Sequence, residues 1–412
     1  MENVSLKDRE ILRELASRKS ARAHSARTDE RLEMWKKQAK GIKDSPTVRL
    51  LFSNFKNEVI TPRMRCEGAD ARLLEAQLLS YMVGRELFDD DTPVSDTFDV
   101  RPFATVSPFG TAPKMTKAKD SIGYHIEPIT DDIEEDFELF CGGSFDVNME
   151  KTREWCAFAD SIFGDILPSR ITMGCLTGPI TNPLVKLINM ETFYMSMYDC
   201  PETLHKIMDM ATSVYERYYD YLEQNKLLLP TNGYSFLAQE SFAFTDELPA
   251  EGPITSTKQL WGFLESQEST AVAPETYGEF VYPYLDRLVK RFGLLSYGCC
   301  ERIDNLWEDY LSKWDNLRKL SVSPFNDEMK VGEYLRGTNV IYYSKPRAEY
   351  VTNAGPLDED AIRKCFKGIS EASSGCLFEV AQREVGTIFG DFERGRRYVQ
   401  LAKETISEYW KP

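Results

Sequence analysis

The sequence predicts an α/β protein: a closed (β/α)8 TIM barrel over residues 96–412, preceded by a helical extension over residues 1–95. Three observations lead there. From about residue 90 onward, short β-rich runs alternate with amphipathic helical runs, an order that implies parallel strands joined by helices. Seven such runs over about 310 residues suit a closed barrel better than an open doubly wound sheet. No G-x-G-x-x-G follows an early strand, which weighs against a dinucleotide-binding sheet.

The elements follow in chain order. Residues 5–41 hold no Pro, and no Gly before Gly41; Leu6, Ile11, Leu12 and Leu15 form an apolar stripe at helical spacing. A second helical stretch covers Ala69 to Glu86. The expected strands are Asp99–Val106, Arg170–Leu176, Gly233–Gln239, Gly293–Tyr297, Lys319–Ser323, Val340–Tyr343 and Cys376–Ala381. Helices are expected at Pro201–Gln224 and Ala273–Phe292, each opening on Pro and Glu in its first turn. The acidic run DDIEEDFE at 131–138 reads as a solvated loop or helix start.

The 412 residues carry 66 acidic and 50 basic side chains, a net charge of −16, and 42% are hydrophobic. This excludes a disordered chain and a small disulfide scaffold. No run approaches the roughly 20 apolar residues of a membrane helix. The amino terminus, charged from the start, lacks the apolar core of a signal peptide. The nine cysteines are scattered, with Cys299 and Cys300 adjacent, which fits reduced thiols in a cytoplasm. The acidic balance opposes nucleic-acid binding. Residues 1–65 are the exception: 16 basic and 9 acidic side chains make either a solvated helical surface or a docking face for an acidic partner.

In a parallel barrel, catalytic groups lie at the carboxyl ends of the strands. FGLLSYGCCERID (292–304) ends an apolar strand at Tyr297-Gly298 and at once supplies two thiols and a carboxylate. Cys299, Cys300 and Glu301 are therefore candidate zinc ligands, since zinc takes thiolate and carboxylate donors; the alternative is two small buried side chains and a first-turn acid. GCLFEVAQREVGTIFGD (375–391) places Glu384 beyond the last strand, as a further ligand or catalytic acid, or else as an ion-pair partner of Arg383 or Arg394. GYSFLAQESFAFTDELP (233–249) offers Glu240, Asp246 and Glu247, with Glu240 a candidate proton donor. QLWGFLESQEST (259–270), read as helix or loop, adds Trp261, Gln267 and Glu268 as possible pocket residues. Of the three histidines, His205 reads as structural, His24 as exposed on a basic helix, and His125 could approach a site. No H-E-x-x-H and no G-x-S-x-G is present.

Two segments carry a resemblance: TMGCLTGPITNPLVKLINMETFYMSMYDCPETLHKIMD (172–209) and APETYGEFVYPYLDRLV (273–289). With the strand ending at Tyr297–Cys300, they resemble the uroporphyrinogen decarboxylase superfamily over roughly residues 95–405. The resemblance implies a (β/α)8 barrel and either of two activities. The decarboxylases grip substrate carboxylates with an Arg-Gln-Ala-Gly-Arg segment; here DVRPFATVSPFGTAP (99–113) keeps only Arg101. The corrinoid-dependent methyltransferases hold zinc through a His-x-Cys; here Tyr297 stands at the histidine and Cys299 at the cysteine, while Cys376 starts the last strand instead of following it.

The expectation is thus methyl transfer from a small O- or N-methyl compound to a corrinoid (cobalamin) carried by a partner protein, zinc-assisted, in a homodimer. Cobalt is the nucleophile in such chemistry, which leaves the barrel to position the methyl group and improve the leaving group. Zinc would polarise an ether oxygen, or Glu240 or Glu384 would protonate it. For a quaternary amine, the faces of Tyr297 or Trp261 would hold the cation. The alternatives are a lyase or decarboxylase with Arg101, Arg302 and Arg383 as cationic clamp, and a ligand-binding protein without catalysis.

Overall fold

The computed structural model describes residues 4–117 and 124–412. Their contacts divide the chain into two compact units. One comprises residues 1–103, 148–172 and 335–412; the other comprises 104–147 and 173–334.

In the first unit, three parallel strands run in the order Thr47–Leu50, Leu377–Gln382, Ile341–Ser344. All three are buried on both faces, as parallel strands covered by helices must be. Thr47–Leu50 lies inside the stretch expected to be helical. Four residues, one of them Arg49, leave too short an apolar pattern to read. Its edge is satisfied by side chains: Asp91 accepts the Val48 N–H at 2.8 Å and Asp90 accepts that of Leu50 at 3.3 Å. The helices Leu6–Ala23 and Ala26–Ala39 form as expected, the first capped by the Ser5 hydroxyl on the Asp8 N–H, while the stretch expected over Ala69–Glu86 is α-helical only to Ser80.

In the second unit, four parallel strands run in the order Leu317–Val322, Leu294–Tyr297, Trp261–Leu264, Leu176–Thr177. A bulge at Leu295/Ser296 shifts the register, so that Leu295 faces Leu317 while Ser296 faces Lys319. Trp261–Leu264 was not expected as a strand; its four residues are buried on both sides and show no alternation. Gly262 is dictated by packing, because a Cβ there would lie 2.0 Å from the Phe292 ring.

Two expected elements are cut by proline. Asp99–Val106 breaks at Pro102 into Phe98–Val100 and Phe103–Ser107. Ala273–Phe292 breaks into Pro274–Phe280 and Tyr282–Val289, where Pro283 can donate no helical hydrogen bond. Pro201–Gln224 is helical over its whole expected length. Gly233–Phe236 is not a parallel strand but half of an antiparallel hairpin with Phe242–Ala243. Both units are thus mixed α/β with parallel strands and covering helices. Among the described residues, no helix is long and apolar enough to cross a membrane.

Lys19 anchors the first helix. It is fully buried, and its Nζ donates to the Ser95 carbonyl, to Ser95 Oγ at 3.1 Å and to the Thr97 carbonyl at 2.7 Å, with the Tyr81 ring 4.4 Å away. Burial pushes its ammonium down to about 8. Between about pH 8 and 10 the unfolded chain therefore holds a proton the folded chain has released, so folding stability should rise with pH through that window. Urea denaturation of wild type and Lys19→Met across pH 7.5–10 checks this: the rise is expected in the wild type and absent in the variant.

Candidate active site at the strand ends of the second unit

Three turns follow the carboxyl ends of adjacent strands in the second unit, the position where parallel α/β folds place their chemistry. After Leu264 come Glu265, Ser266, Gln267 and Glu268; after Tyr297 come Gly298, Cys299, Cys300 and Glu301; after Val322 come Ser323 and Asn326. The middle turn is stapled on both sides. Gly298 takes φ +99°, which admits glycine readily, and donates its N–H to the Leu264 carbonyl at 3.0 Å. Glu301 Oε1 accepts the Ser266 N–H at 2.9 Å and Oε2 accepts the Cys299 N–H at 2.5 Å. Ser321 and Ser323 donate their hydroxyls to the carbonyls of Cys299 and Cys300 at 3.1 and 3.2 Å. Asn326 Oδ1 receives the Ile303 N–H at 2.7 Å.

Glu268 is held from a different direction. Thr181 Oγ1 donates to its Oε2 at 2.8 Å and Asn182 Nδ2 to its Oε1 at 2.7 Å, while Tyr194 donates to its carbonyl at 2.8 Å. Tyr194 reaches it from beyond Asn189, whose φ of 65° kinks the Thr181–Asp199 helix.

Glu265 is treated differently. It is 7% exposed, and its Oε2 accepts the Gln267 N–H at 3.0 Å. Its Oε1 receives no hydrogen bond from the described residues. Burial pushes this carboxyl well above the usual range; the charges of Glu268 and Glu301, and then Cys299, add to the shift against the single N–H. With Oε2 occupied as an acceptor, the proton belongs on Oε1. The arrangement favours a neutral carboxylic acid at a strand end, with Oε1 as the oxygen that would carry the proton.

Of the residues singled out in the sequence, the thiol-carboxylate corner lies here. Cys299 and Cys300 are half-buried with sulfurs 3.8 Å apart. They do not form a metal trio with Glu301, whose oxygens both face backbone N–H groups; among the described residues, no three His, Cys, Asp or Glu side chains gather into a metal-binding group. The ligand set expected for zinc therefore does not fit as a unit. Gln267 contributes its N–H to Glu265, with its side chain half-buried. Glu240 sits at the tip of the Gly233–Ala243 hairpin, where it and Gln239 adopt φ of 64° and 67°. Buried Lys319 anchors that tip by donating to Ser241 Oγ at 2.6 Å and the Phe242 carbonyl at 2.8 Å.

The aromatic candidates are core residues. Tyr297 is fully buried, its hydroxyl 3.0 Å from that of Tyr277 and its ring edge-on to Trp314. Trp261 begins its strand, at the end away from these turns, and donates Nε1 to the Ala243 carbonyl at 3.0 Å within a cluster of Leu237, Leu248 and Leu294. Neither ring offers a face to a cationic ligand. Arg101 and Glu384 belong to the first unit. Arg101 is exposed, and Glu384, also exposed, lies 3.7 Å from Arg383 Nε as an ion pair. His205 stacks on Phe280 and bonds the Tyr284 hydroxyl at 2.8 Å, a structural role; His125 is exposed on the Tyr124–Glu127 strand. Glu265 was missed because its strand was missed.

No protein-family model matches the chain, and no curated protein matches it. Among solved structures, a methyltransferase from Methanosarcina mazei is similar with a TM-score of 0.52 at 12% identity, over 90% of this chain and 97% of that one. At that identity the likeness is one of fold.

A neutral buried Glu265 has a thermodynamic signature. Its folded pKa exceeds the unfolded value of about 4.3, so the stability it contributes is complete below that pH and is lost as pH rises toward the folded pKa. Glu265→Gln mimics the neutral acid and removes the dependence. Urea melts between pH 4.5 and 8 should show wild type losing stability relative to Glu265→Gln as pH rises; parallel curves would show an ionised Glu265.

Proposed function

We propose that this protein transfers a methyl group from a small O- or N-methyl compound to a corrinoid carried by a partner protein, as a member of the methyltransferase branch of the uroporphyrinogen decarboxylase superfamily acting as a homodimer. The observation that carries the reading is Glu265: a buried carboxyl at the carboxyl end of a parallel strand, with a single N–H on one oxygen and burial favouring its neutral form. The fold likeness to a methyltransferase supports it, as do the sequence segments at 172–209 and 273–289.

The reduced corrinoid would supply the nucleophile that takes the methyl group. The residues of this chain do the rest. Glu265 Oε1 donates its proton to the heteroatom that loses the methyl group, so that it departs neutral. The Gln267 N–H holds the other oxygen and fixes the direction of the O–H. Glu268 and Glu301 keep the acid protonated until it is needed, and solvent restores the proton afterwards. No step passes through zinc.

Decarboxylation of an acidic substrate is disfavoured by the same charges. Glu268 and Glu301 would repel a substrate carboxylate, and Arg302 is committed to Asp304 at 2.8 Å. Arg101 and Arg383 belong to the other unit.

The test is methyl transfer from an aryl methyl ether to reduced cobalamin, followed by the cobalamin spectrum. Glu265→Gln should lower the rate by about 10²–10⁴-fold, the range of a lost general acid. Wild-type rates in the variant would remove Glu265 from the mechanism.

A further inference from the structure

The adjacent thiols have no part in the reaction proposed above, yet they occupy the best-fixed turn of the site. Their two sulfurs lie 3.8 Å apart and both residues are half-buried. The backbone beneath them is held at four points: the Cys299 N–H by Glu301, the Cys299 carbonyl by Ser321, the Cys300 carbonyl by Ser323 and the preceding glycine by Leu264. From these observations we infer that Cys299 and Cys300 form a preorganised two-thiolate chelate for a soft, thiophilic centre that takes two sulfurs, of the chemical class of a trivalent arsenical.

Three features select that class. A soft atom bonded to both sulfurs at about 2.3 Å, the length of a metal–thiolate bond, would span 3.8 Å at an angle of roughly 110°, with the sulfur separation unchanged. A tetrahedral ion would need two further donors, and no group of three His, Cys, Asp or Glu side chains is assembled among the described residues. A disulfide between the two sulfurs would require the peptide between them to turn, because the Cα atoms of neighbouring residues stand closer than an unstrained disulfide allows. The two serine hydroxyls on its flanking carbonyls oppose that rotation. A chelated arsenical leaves the peptide where it is.

The reaction balances without an oxidant or a reductant. In water, the arsenic of phenylarsine oxide carries two hydroxyl groups. Two As–S bonds form and two As–OH bonds break, and each thiol proton leaves with a hydroxyl as water. Arsenic remains trivalent. The preformed turn lowers the entropy cost of closing the ring, which is what separates two fixed thiols from two free ones.

The probe is phenylarsine oxide, and the readout is the intact mass of the full chain after washing with excess monothiol. The wild type should retain one phenylarsenic group per chain, released by a 1,2-dithiol. Cys299→Ser and Cys300→Ser should each abolish retention, and Cys141→Ser, at an exposed cysteine elsewhere in the unit, should leave it unchanged. A circular dichroism spectrum matching wild type establishes that the serine variants are folded. Loss of the group from the wild type under monothiol, or its retention in either folded variant at 299 or 300, would overturn the assignment.

Discussion

Three carboxyl groups meet the same problem, removal from water at the ends of neighbouring strands, and two of them are supplied with partners. Glu301 receives two backbone N–H groups and Glu268 receives a hydroxyl and an amide. Glu265 receives one N–H on one oxygen. Desolvation costs an unpaired charge far more than a neutral acid, and the flanking carboxylates raise that cost further. The proton on Glu265 follows from this inequality, and the proposed chemistry follows from the proton.

The rigidity of the surrounding turns comes from short polar residues used as staples. Ser266, Ser321, Ser323 and Asn326 each tie one strand end to the next through a backbone group. Glu301, expected as a metal ligand, is one of these staples. Its carboxylate spans two turns, which makes it a positioning group for the acid and for the paired thiols. Functional groups placed this way keep their geometry because the backbone, and not a flexible side chain, carries them.

Much of this was legible in the sequence, for identifiable reasons. The Gly293–Tyr297 run is apolar, ends at a glycine and is followed at once by polar groups, so the thiol corner could be placed at a strand end from pattern alone. Trp261–Leu264 could not: four residues buried on both faces have no period, and Glu265 disappeared with them into a stretch read as helix or loop. The aromatic candidates failed for another reason. Composition marks Tyr297 and Trp261 as large rings, but only packing tells whether a ring faces a ligand or the core, and both are sealed. Glu384 stands out by its place after a strand end and Arg101 by likeness to a family segment, and neither signal says anything of exposure. The short Thr47–Leu50 strand was hidden because its neighbours in sequence are strongly helical, and pairing with residues more than 300 positions away decides its conformation.

The most direct measurement is the infrared difference spectrum of wild type against Glu265→Gln at pH 7. The account requires a carbonyl stretch of a protonated carboxylic acid that is present in wild type, shifts in deuterium oxide and is missing from the variant. A difference spectrum showing only the carboxylate bands of an ionised glutamate would contradict it.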